Sequence, residues 1–296
     1  MGLIKNITHV IGMVSPLFSF KLADLTFIVL IFSALLSSCI SEHGPDSVDN
    51  QVGSVQKKSI RVPLTESGQE INLSYLVAGD SVGQRVIFLH GTPGSAENWS
   101  DFLDQVPDGL EYISIDRPGF GDSEPDEAVT SFEDQVRAFV PLLVEKQGKK
   151  PIIVGHSMGG TLAVLAALRY PEKIYGIVVV GGALDPDLEE VMWFQNFGRN
   201  IDFIIPRIFA NSNRELIDYE NELRKFTDDM GEIKLPVVIV HGTEDSLVPY
   251  ANVKFMKEKL INAAPLEIIR LEGDDHFLPW NNRASIDRAI QILTKP

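Results

Sequence analysis

The sequence predicts a single α/β domain in which helices cover both faces of a mostly parallel β-sheet. From residue 59 onward, short apolar segments alternate with stretches that have the periodicity of amphipathic helices. The later apolar segments are nearly uninterrupted, which is typical of parallel strands buried on both faces. Repeated strand–helix units build a doubly wound sheet. A chain of 296 residues suits one such domain better than two.

Eight strands are predicted in this region. The first two alternate apolar and polar residues, as half-exposed strands of an edge hairpin do, and lie at Ile60–Leu64 and Ile71–Val77. The apolar strands that follow are Val86–Leu89, Tyr112–Ile115, Ile152–Val154, Ile177–Val180, Val237–Val240 and Leu266–Leu271. Helical periodicity is found in Ser131–Glu145, Met158–Tyr170, Ala251–Ile261 and Ala284–Leu293.

One long insertion interrupts the alternation of strands and helices. Between the strands that end at Val180 and begin at Val237 lie about 55 residues, far more than a crossover connection requires. The insertion, residues 185–234, ends in a charged helical stretch, Asn213–Asp229. Its large apolar side chains are Trp193, Phe194, Phe197, Phe203, Ile204, Ile205, Ile208 and Phe209. Because exposed aromatic side chains need a reason, we expect a small helical lid over the sheet, with a pair of ordinary surface helices as the alternative.

Residues 1–38 are predicted to be a signal peptide. The apolar run Leu25–Leu36 is shorter than the roughly 20 residues of a membrane-spanning helix, but it has the length of a signal-peptide core. Lys5 and Lys21 supply positive charge before it. Cys39, the one cysteine of the chain, follows the run directly in a pattern that resembles a bacterial lipobox. An uncleaved anchor helix and an unprocessed tail with a chance cysteine are the alternatives, and Met13 is an alternative start.

A lipid chain on Cys39 would tether the domain to a membrane surface without spanning the membrane. The sequence therefore predicts a lipoprotein of the bacterial cell envelope that faces the periplasm. Because Ile40 rather than aspartate follows the cysteine, the outer membrane is favoured over the inner one. The polar segment 39–58 is predicted to be a flexible tether, and residues 59–296 form the folded domain. A net charge of −15 without clustered Lys and Arg argues against a nucleic-acid partner.

The segment Gly155–Gly159 reads Gly-His-Ser-Met-Gly and joins an apolar strand to a predicted helix. A Gly-x-Ser-x-Gly pattern in this position predicts a sharp turn that exposes a serine nucleophile, here Ser157. The two glycines allow the strand and the helix to approach each other closely. The start of the helix directs backbone N–H groups at the reacting centre.

A nucleophilic serine needs a base, and the base needs an acid that orients it. His276 follows the last predicted strand, and Asp245 follows the strand before it. All three residues therefore lie on loops at the carboxyl ends of strands, the edge at which open α/β sheets gather their active sites. Other carboxylates compete for the role of the acid: Glu244, Asp274, Asp275, Asp185 and Asp187.

The segment His90–Gly94 follows another strand end and reads His-Gly-Thr-Pro-Gly. The backbone N–H groups of Thr92 and Met158 would bind a developing oxyanion. Together with the Ser, Asp and His segments and with Asp116–Ser123, this pattern resembles the α/β-hydrolase superfamily over residues 59–296. Asp245 matches the Gly-x-x-Asp-x-x-Val-Pro pattern of that superfamily, and the resemblance implies that His90 and His156 are structural.

The resemblance implies a Ser157–Asp245–His276 triad that hydrolyses a carboxylic ester or a similar acyl compound with an apolar part. A carbon–carbon, thioester, lactone or amide substrate is left open, because the triad is shared by enzymes that cleave each of these bonds. A binding protein on a hydrolase fold is a further alternative. No cofactor is expected, since no convincing metal-ligand spacing and no phosphate-binding glycine loop occur in the sequence. The sequence leaves the oligomeric state open.

Overall fold

A computed structural model describes residues 54–189 and 205–294. The predicted signal peptide, Cys39, most of the predicted tether and residues 190–204 of the predicted lid lie outside these ranges. Within the described ranges, no helix combines the length and the apolar character that crossing a membrane requires.

One eight-stranded sheet organises the described chain, as the sequence predicts. The strands are β1 (Gln56–Pro63), β2 (Glu70–Gly79), β3 (Gln84–Leu89), β4 (Leu110–Ile115), β5 (Ile152–His156), β6 (Gly176–Val180), β7 (Val237–Gly242) and β8 (Leu266–Leu271). Their order in the sheet is β1-β2-β4-β3-β5-β6-β7-β8. Strand β2 runs antiparallel to β1 and β4, and the other neighbouring pairs are parallel. The carboxyl ends of β3 to β8 therefore share one edge.

Helices cover both faces of this sheet, which confirms the predicted architecture. They are α1 (Ser100–Leu103), α2 (Phe132–Phe139), α3 (Met158–Arg169), α4 (Arg207–Arg224), α5 (Ala251–Lys259), α6 (Leu278–Asn281) and α7 (Arg283–Thr294). Residues of α2, α3 and α5 join one apolar core, and residues of α1 and α7 join the core on the opposite face. Removal of this apolar surface from water is the main force that holds the layers together.

The folded domain begins earlier than the predicted boundary at residue 59. Strand β1 starts at Gln56, and its backbone pairs with β2 from Gln56 opposite Val77 to Pro63 opposite Glu70. Its first side chains, among them Lys57 and Lys58, are exposed. Because an edge strand of this kind carries polar side chains, hydropathy does not mark where it begins.

Two helices differ from their predicted bounds by more than two residues at one or both ends, and proline accounts for part of each difference. Helix α2 ends at Phe139 and continues as the 3₁₀ turn Val140–Leu142, where Pro141 interrupts the α-helical hydrogen bonding. Helix α4 begins directly after Pro206, earlier than the predicted Asn213. It ends at Arg224, and the 3₁₀ helix Thr227–Glu232 replaces the rest of the predicted helix.

Candidate active site

Ser157 occupies a strained turn between β5 and α3. Its backbone has φ 54° and ψ −124°, a combination that non-glycine residues rarely adopt. A hydrogen bond from the Ser157 N–H to the Val180 carbonyl, at 2.9 Å, joins the turn to the end of β6. Ser157 directly follows the last residue of β5 and is partly exposed. Such a turn is the geometry expected of a nucleophile elbow.

Both glycines of the motif are required by close backbone packing. A Cβ at Gly155 would lie 2.0 Å from the Gly159 carbonyl oxygen. A Cβ at Gly159 would lie 2.2 Å from the Leu89 carbonyl oxygen at the end of β3. Neither neighbour is a side chain that could rotate away, so the tight joint between β5, α3 and β3 depends on the two glycines.

The loops after β7 and β8 bring Asp245 and His276 together. The Nδ1 atom of His276 lies 2.7 Å from Oδ2 of Asp245, and the two side chains are 8% and 0% exposed. The other carboxylate oxygen of Asp245 accepts hydrogen bonds from the N–H groups of Leu247 and Val248. With Nδ1 donating to the carboxylate, a neutral His276 keeps the lone pair of Nε2 free to accept a proton.

The competing carboxylates make other contacts. Asp275 accepts hydrogen bonds from the N–H of Phe277 at 2.9 Å and from the Asn281 amide at 3.1 Å. Asp274 bonds to the amide of Asn282, and Glu244 is exposed. Asp185 caps the 3₁₀ helix Pro186–Leu188, and Asp187 pairs with Arg224. Asp245 is the carboxylate among these candidates that the structure places against the imidazole of His276.

The predicted oxyanion loop lies against the Ser157 turn. A Cβ at Gly91 would approach the Ser157 Cβ to 2.9 Å, so the loop that carries Thr92 is in contact with the turn. Met158 is the first residue of α3 and is buried. Its N–H belongs to the first turn of the helix, where backbone donors have no intrahelical acceptor. The structure thus places the loop of Thr92 beside Ser157, and Met158 directly follows Ser157.

Three further histidines near the site are buried, and burial lowers the pKa of each imidazole. Burial lowers the pKa of His156 to about 3, with a further contribution from nearby His276. The pKa values of His90 and His241 are also lowered, chiefly by burial. His156 Nε2 donates to the His276 carbonyl at 2.9 Å and so joins the elbow to the histidine loop. His241 Nε2 donates to the Val248 carbonyl and supports the loop of Asp245.

A buried ion pair next to the oxyanion loop was not predicted from the sequence. Arg117 pairs with Glu215 of α4, with each side chain 1% exposed. Gln135 of α2 also donates to Glu215, at 2.8 Å. Arg117 lies in the Asp116–Ser123 motif that the sequence singles out, whereas Glu215 is one charge among many on a polar helix. Nothing local in the sequence marks Glu215, because its partner is 98 residues away.

Within the described ranges, no group of three or more histidine, cysteine or acidic side chains is arranged to hold a metal ion. The polar groups of the candidate site are instead a hydroxyl, an imidazole, a carboxylate and backbone N–H groups. These are the components of nucleophilic acyl transfer.

Known proteins resemble this chain in sequence and in fold. The family model of the alpha/beta hydrolase fold matches residues 84–218. The structure also resembles that of a thermophilic esterase from Thermogutta terrifontis, with a TM-score of 0.59, 17% identity and coverage of 79% of this chain and 97% of the esterase. The chain has the α/β-hydrolase fold.

Curated relatives of this chain carry the names of different hydrolases. The chain is 32% identical over 146 residues to an sn-1-specific diacylglycerol lipase from Mus musculus. The match covers 44% of this chain and 46% of the lipase. It is 24% identical over 230 residues to a 2-hydroxy-6-oxononadienedioate/2-hydroxy-6-oxononatrienedioate hydrolase from Burkholderia vietnamiensis. The match covers 64% of this chain and 80% of that enzyme.

The chain covers less than half the length of several curated relatives that it matches. The chain spans 38%, 37% and 46% of the length of three of its curated relatives. One α/β-hydrolase fold hosts many activities, so the fold establishes the class of protein, and the substrate has to be argued from the site.

Proposed function

We propose that this protein is a serine hydrolase that cleaves a carboxylic ester or a similar acyl compound. The observation that carries the proposal is the buried 2.7 Å contact between His276 Nδ1 and Asp245 Oδ2, beside a serine in a strained turn. A carboxylate in this position fixes the tautomer of the imidazole and stabilises its protonated form. Hydrolase relatives in the same superfamily support the class of reaction.

In the proposed reaction, Ser157 Oγ attacks the acyl carbon while His276 Nε2 accepts the hydroxyl proton. The N–H groups of Thr92 and Met158 bind the negative oxygen of the tetrahedral intermediate. The intermediate collapses when the bond to the leaving group breaks and His276 returns the proton to the leaving oxygen. Water then attacks the acyl-enzyme with His276 as the base, which releases the acid and restores Ser157.

A panel of p-nitrophenyl esters from acetate to laurate, with kcat/KM as the observable, tests this proposal. Ser157→Ala is expected to lower kcat by about 10⁶-fold, because loss of the nucleophile removes the acyl-enzyme route. Ser246→Ala is the matched control, since Ser246 is an exposed serine in the loop of Asp245. Full activity of Ser157→Ala would reject the proposal, and a protein that turns over no substrate would favour a binding role on a hydrolase fold.

Two aromatic side chains support an apolar group in the substrate. Phe277 and Trp280 follow His276 and are 38% and 44% exposed, although both are large and apolar. Their ring centroids lie 6.1 Å and 5.7 Å from those of His276 and His156, respectively. We expect kcat/KM to rise with acyl chain length and Trp280→Ala to reduce that rise. The predicted lid over residues 185–234 would supply the rest of the apolar surface.

Cleavage of a carbon–carbon bond is a second candidate. The match to the 2-hydroxy-6-oxononadienedioate hydrolase extends over 80% of that enzyme, more than the match to the lipase covers. A 2-hydroxy-6-oxodienedioate should therefore be included in the substrate panel, together with a thioester, a lactone and an amide. A kcat/KM at least tenfold above that of the best ester would identify the preferred class.

The membrane location is a separate proposal that rests on the sequence around Cys39. If this cysteine carries lipid, Cys39→Ser should move the protein from the membrane fraction to the soluble fraction and abolish incorporation of labelled palmitate. Ser41→Ala, a change two residues further on, should leave both measurements unaltered. Retention of Cys39→Ser in the membrane fraction would favour an uncleaved anchor helix. That result would also reject the proposed location at the periplasmic side of the outer membrane.

A further inference from the structure

Arg117 makes direct contact with the peptide unit that carries the proposed oxyanion donor. Its Nη2 donates to the Gly91 carbonyl at 2.9 Å, and its Nε donates to the His90 carbonyl at 3.0 Å. His90 Nδ1 donates to the same Gly91 carbonyl at 2.7 Å. The two lone pairs of the Gly91 oxygen are therefore both occupied.

The Gly91 carbonyl and the Thr92 N–H belong to one planar peptide. In a trans peptide these two groups point in opposite directions, so a carbonyl that is fixed in space also fixes the direction of the N–H. The two donors on the Gly91 oxygen fix the direction of that carbonyl. They thereby also fix the direction of the Thr92 N–H, the proposed oxyanion donor.

The charge that holds Arg117 in this position comes from helix α4. Oε1 and Oε2 of Glu215 lie 2.7 Å and 3.1 Å from Nη1 and Nη2 of Arg117, a bidentate arrangement. Gln135 supports the carboxylate with a third hydrogen bond. Burying such a pair is costly, and apolar residues of similar volume often stabilise a fold as well or better. Stability alone therefore does not explain an ion pair at this place. A role in fixing the direction of the Gly91 carbonyl does explain it.

We propose that Arg117 and Glu215 are positioning residues for the oxyanion hole. The position of helix α4 and the direction of the Thr92 N–H are then coupled. This inference rests on the proposed serine-hydrolase function. Neither side chain is required to touch the substrate. Each acts through the backbone of Gly91, and Glu215 acts through Arg117.

Glu215→Gln tests the proposal with little change in volume. The amide keeps a similar shape but loses the negative charge, so Arg117 is held less firmly on the Gly91 carbonyl. We expect kcat/KM per active site to fall about 10-fold with KM changed less than about 2-fold, a smaller loss than the 10²–10³ that removal of a whole donor costs. Active sites are counted by titration with a fluorophosphonate, which separates a slower site from a smaller folded fraction.

A boronic acid matched to the best acyl chain provides a second readout. Its adduct with Ser157 places a negative oxygen in the oxyanion hole, so its inhibition constant should weaken by about the same factor as kcat/KM. Glu220→Gln is the control, because Glu220 lies on the same helix and pairs with Arg224 in an exposed position. The control should leave kcat/KM and the inhibition constant unaltered.

Arg117→Lys keeps the proposal testable if Glu215→Gln does not fold. Lysine preserves the buried charge pair, but one ammonium group is not able to reproduce the planar fork that reaches both Glu215 and the two carbonyls. The expected loss has the same pattern. Unchanged kcat/KM per titrated site together with an unchanged inhibition constant, in either folded variant, would overturn the inference. Absence of Ser157-dependent turnover in the unmodified protein would reject the proposed function instead.

Discussion

The two sides of the candidate site are built in different ways. On one side, Asp245 and His276 meet through their side chains, on loops that follow β7 and β8. On the other side, the loop of Gly91 and the turn of Ser157 meet through their backbones, with glycines at the points of contact. The first side depends on which functional groups are present, and the second depends on where the main chain runs.

This difference predicts which substitutions each side tolerates. On the Asp245–His276 side, an isosteric change of one functional group should reduce catalysis while the fold survives. On the backbone side, addition of a single methyl group should disturb the fold and the site together. The predictions that follow, taken in order of expected effect, test that contrast.

Asp245→Asn should produce the largest effect of the three substitutions that test this contrast. The amide is not able to stabilise a protonated His276 and favours the wrong tautomer, so we expect kcat to fall about 10⁴-fold. The measurement is kcat on the best ester, with circular dichroism to check the fold. Asp275→Asn is the control, because Asp275 bonds to Phe277 and Asn281 rather than to the imidazole. Comparable losses in both variants would contradict the assignment of the acid.

Gly159→Ala should destabilise the fold. The new methyl carbon would lie 2.2 Å from the Leu89 carbonyl oxygen, so the start of α3 has to move away from β3. We expect the free energy of unfolding in urea to fall by about 3 kcal/mol, and kcat/KM of the folded fraction to fall as well. Gly231→Ala is the matched control, because the nearest atom to its new carbon is 3.6 Å away. Equal stability of the two variants would show that the close contact at Gly159 is not required.

His156→Gln should change how stability depends on pH. The folded protein holds His156 neutral, with a pKa of about 3, whereas the unfolded chain binds a proton near pH 6.5. As the pH falls below about 6.5, the unfolded state gains a proton that the folded state lacks, so stability decreases by up to about 1.4 kcal/mol per pH unit. Glutamine keeps a donor for the His276 carbonyl but does not titrate in this range.

The measurement is the free energy of unfolding at pH 7, 6 and 5 for the parent protein and for His156→Gln. The variant should lose less stability per pH unit than the parent, by an amount that corresponds to about one proton. Parallel curves for the two proteins would mean that His156 does not remain neutral in the folded state.

The sheet could be predicted from the sequence because its strands carry their own signal. Central strands such as Ile177–Val180 are buried on both faces, and their apolar runs follow directly from that burial. The polar start of β1 lacks such a signal, and its position depends on pairing with β2. Of the predicted lid, the structure describes helix α4. The aromatic residues Trp193, Phe194, Phe197 and Phe203 lie outside the described residues.

The residues of the candidate site also differ in whether a local sequence pattern predicts them. Ser157, Asp245 and His276 were predicted because each lies in a short motif at a strand end. The contacts of His156 with the His276 carbonyl and of Arg117 with Glu215 join residues that are 120 and 98 positions apart. Such pairings are fixed by packing in three dimensions, and a single sequence contains no local pattern for them.

Covalent labelling of Ser157 is the most direct test of the central claim. The protein should react with a fluorophosphonate probe, and peptide mass spectrometry should place the adduct on Ser157. The rate of labelling should fall strongly in His276→Ala, because that variant lacks the base that activates the serine. Absence of an adduct on Ser157 in the folded protein, or a labelling rate that does not depend on His276, would contradict the account.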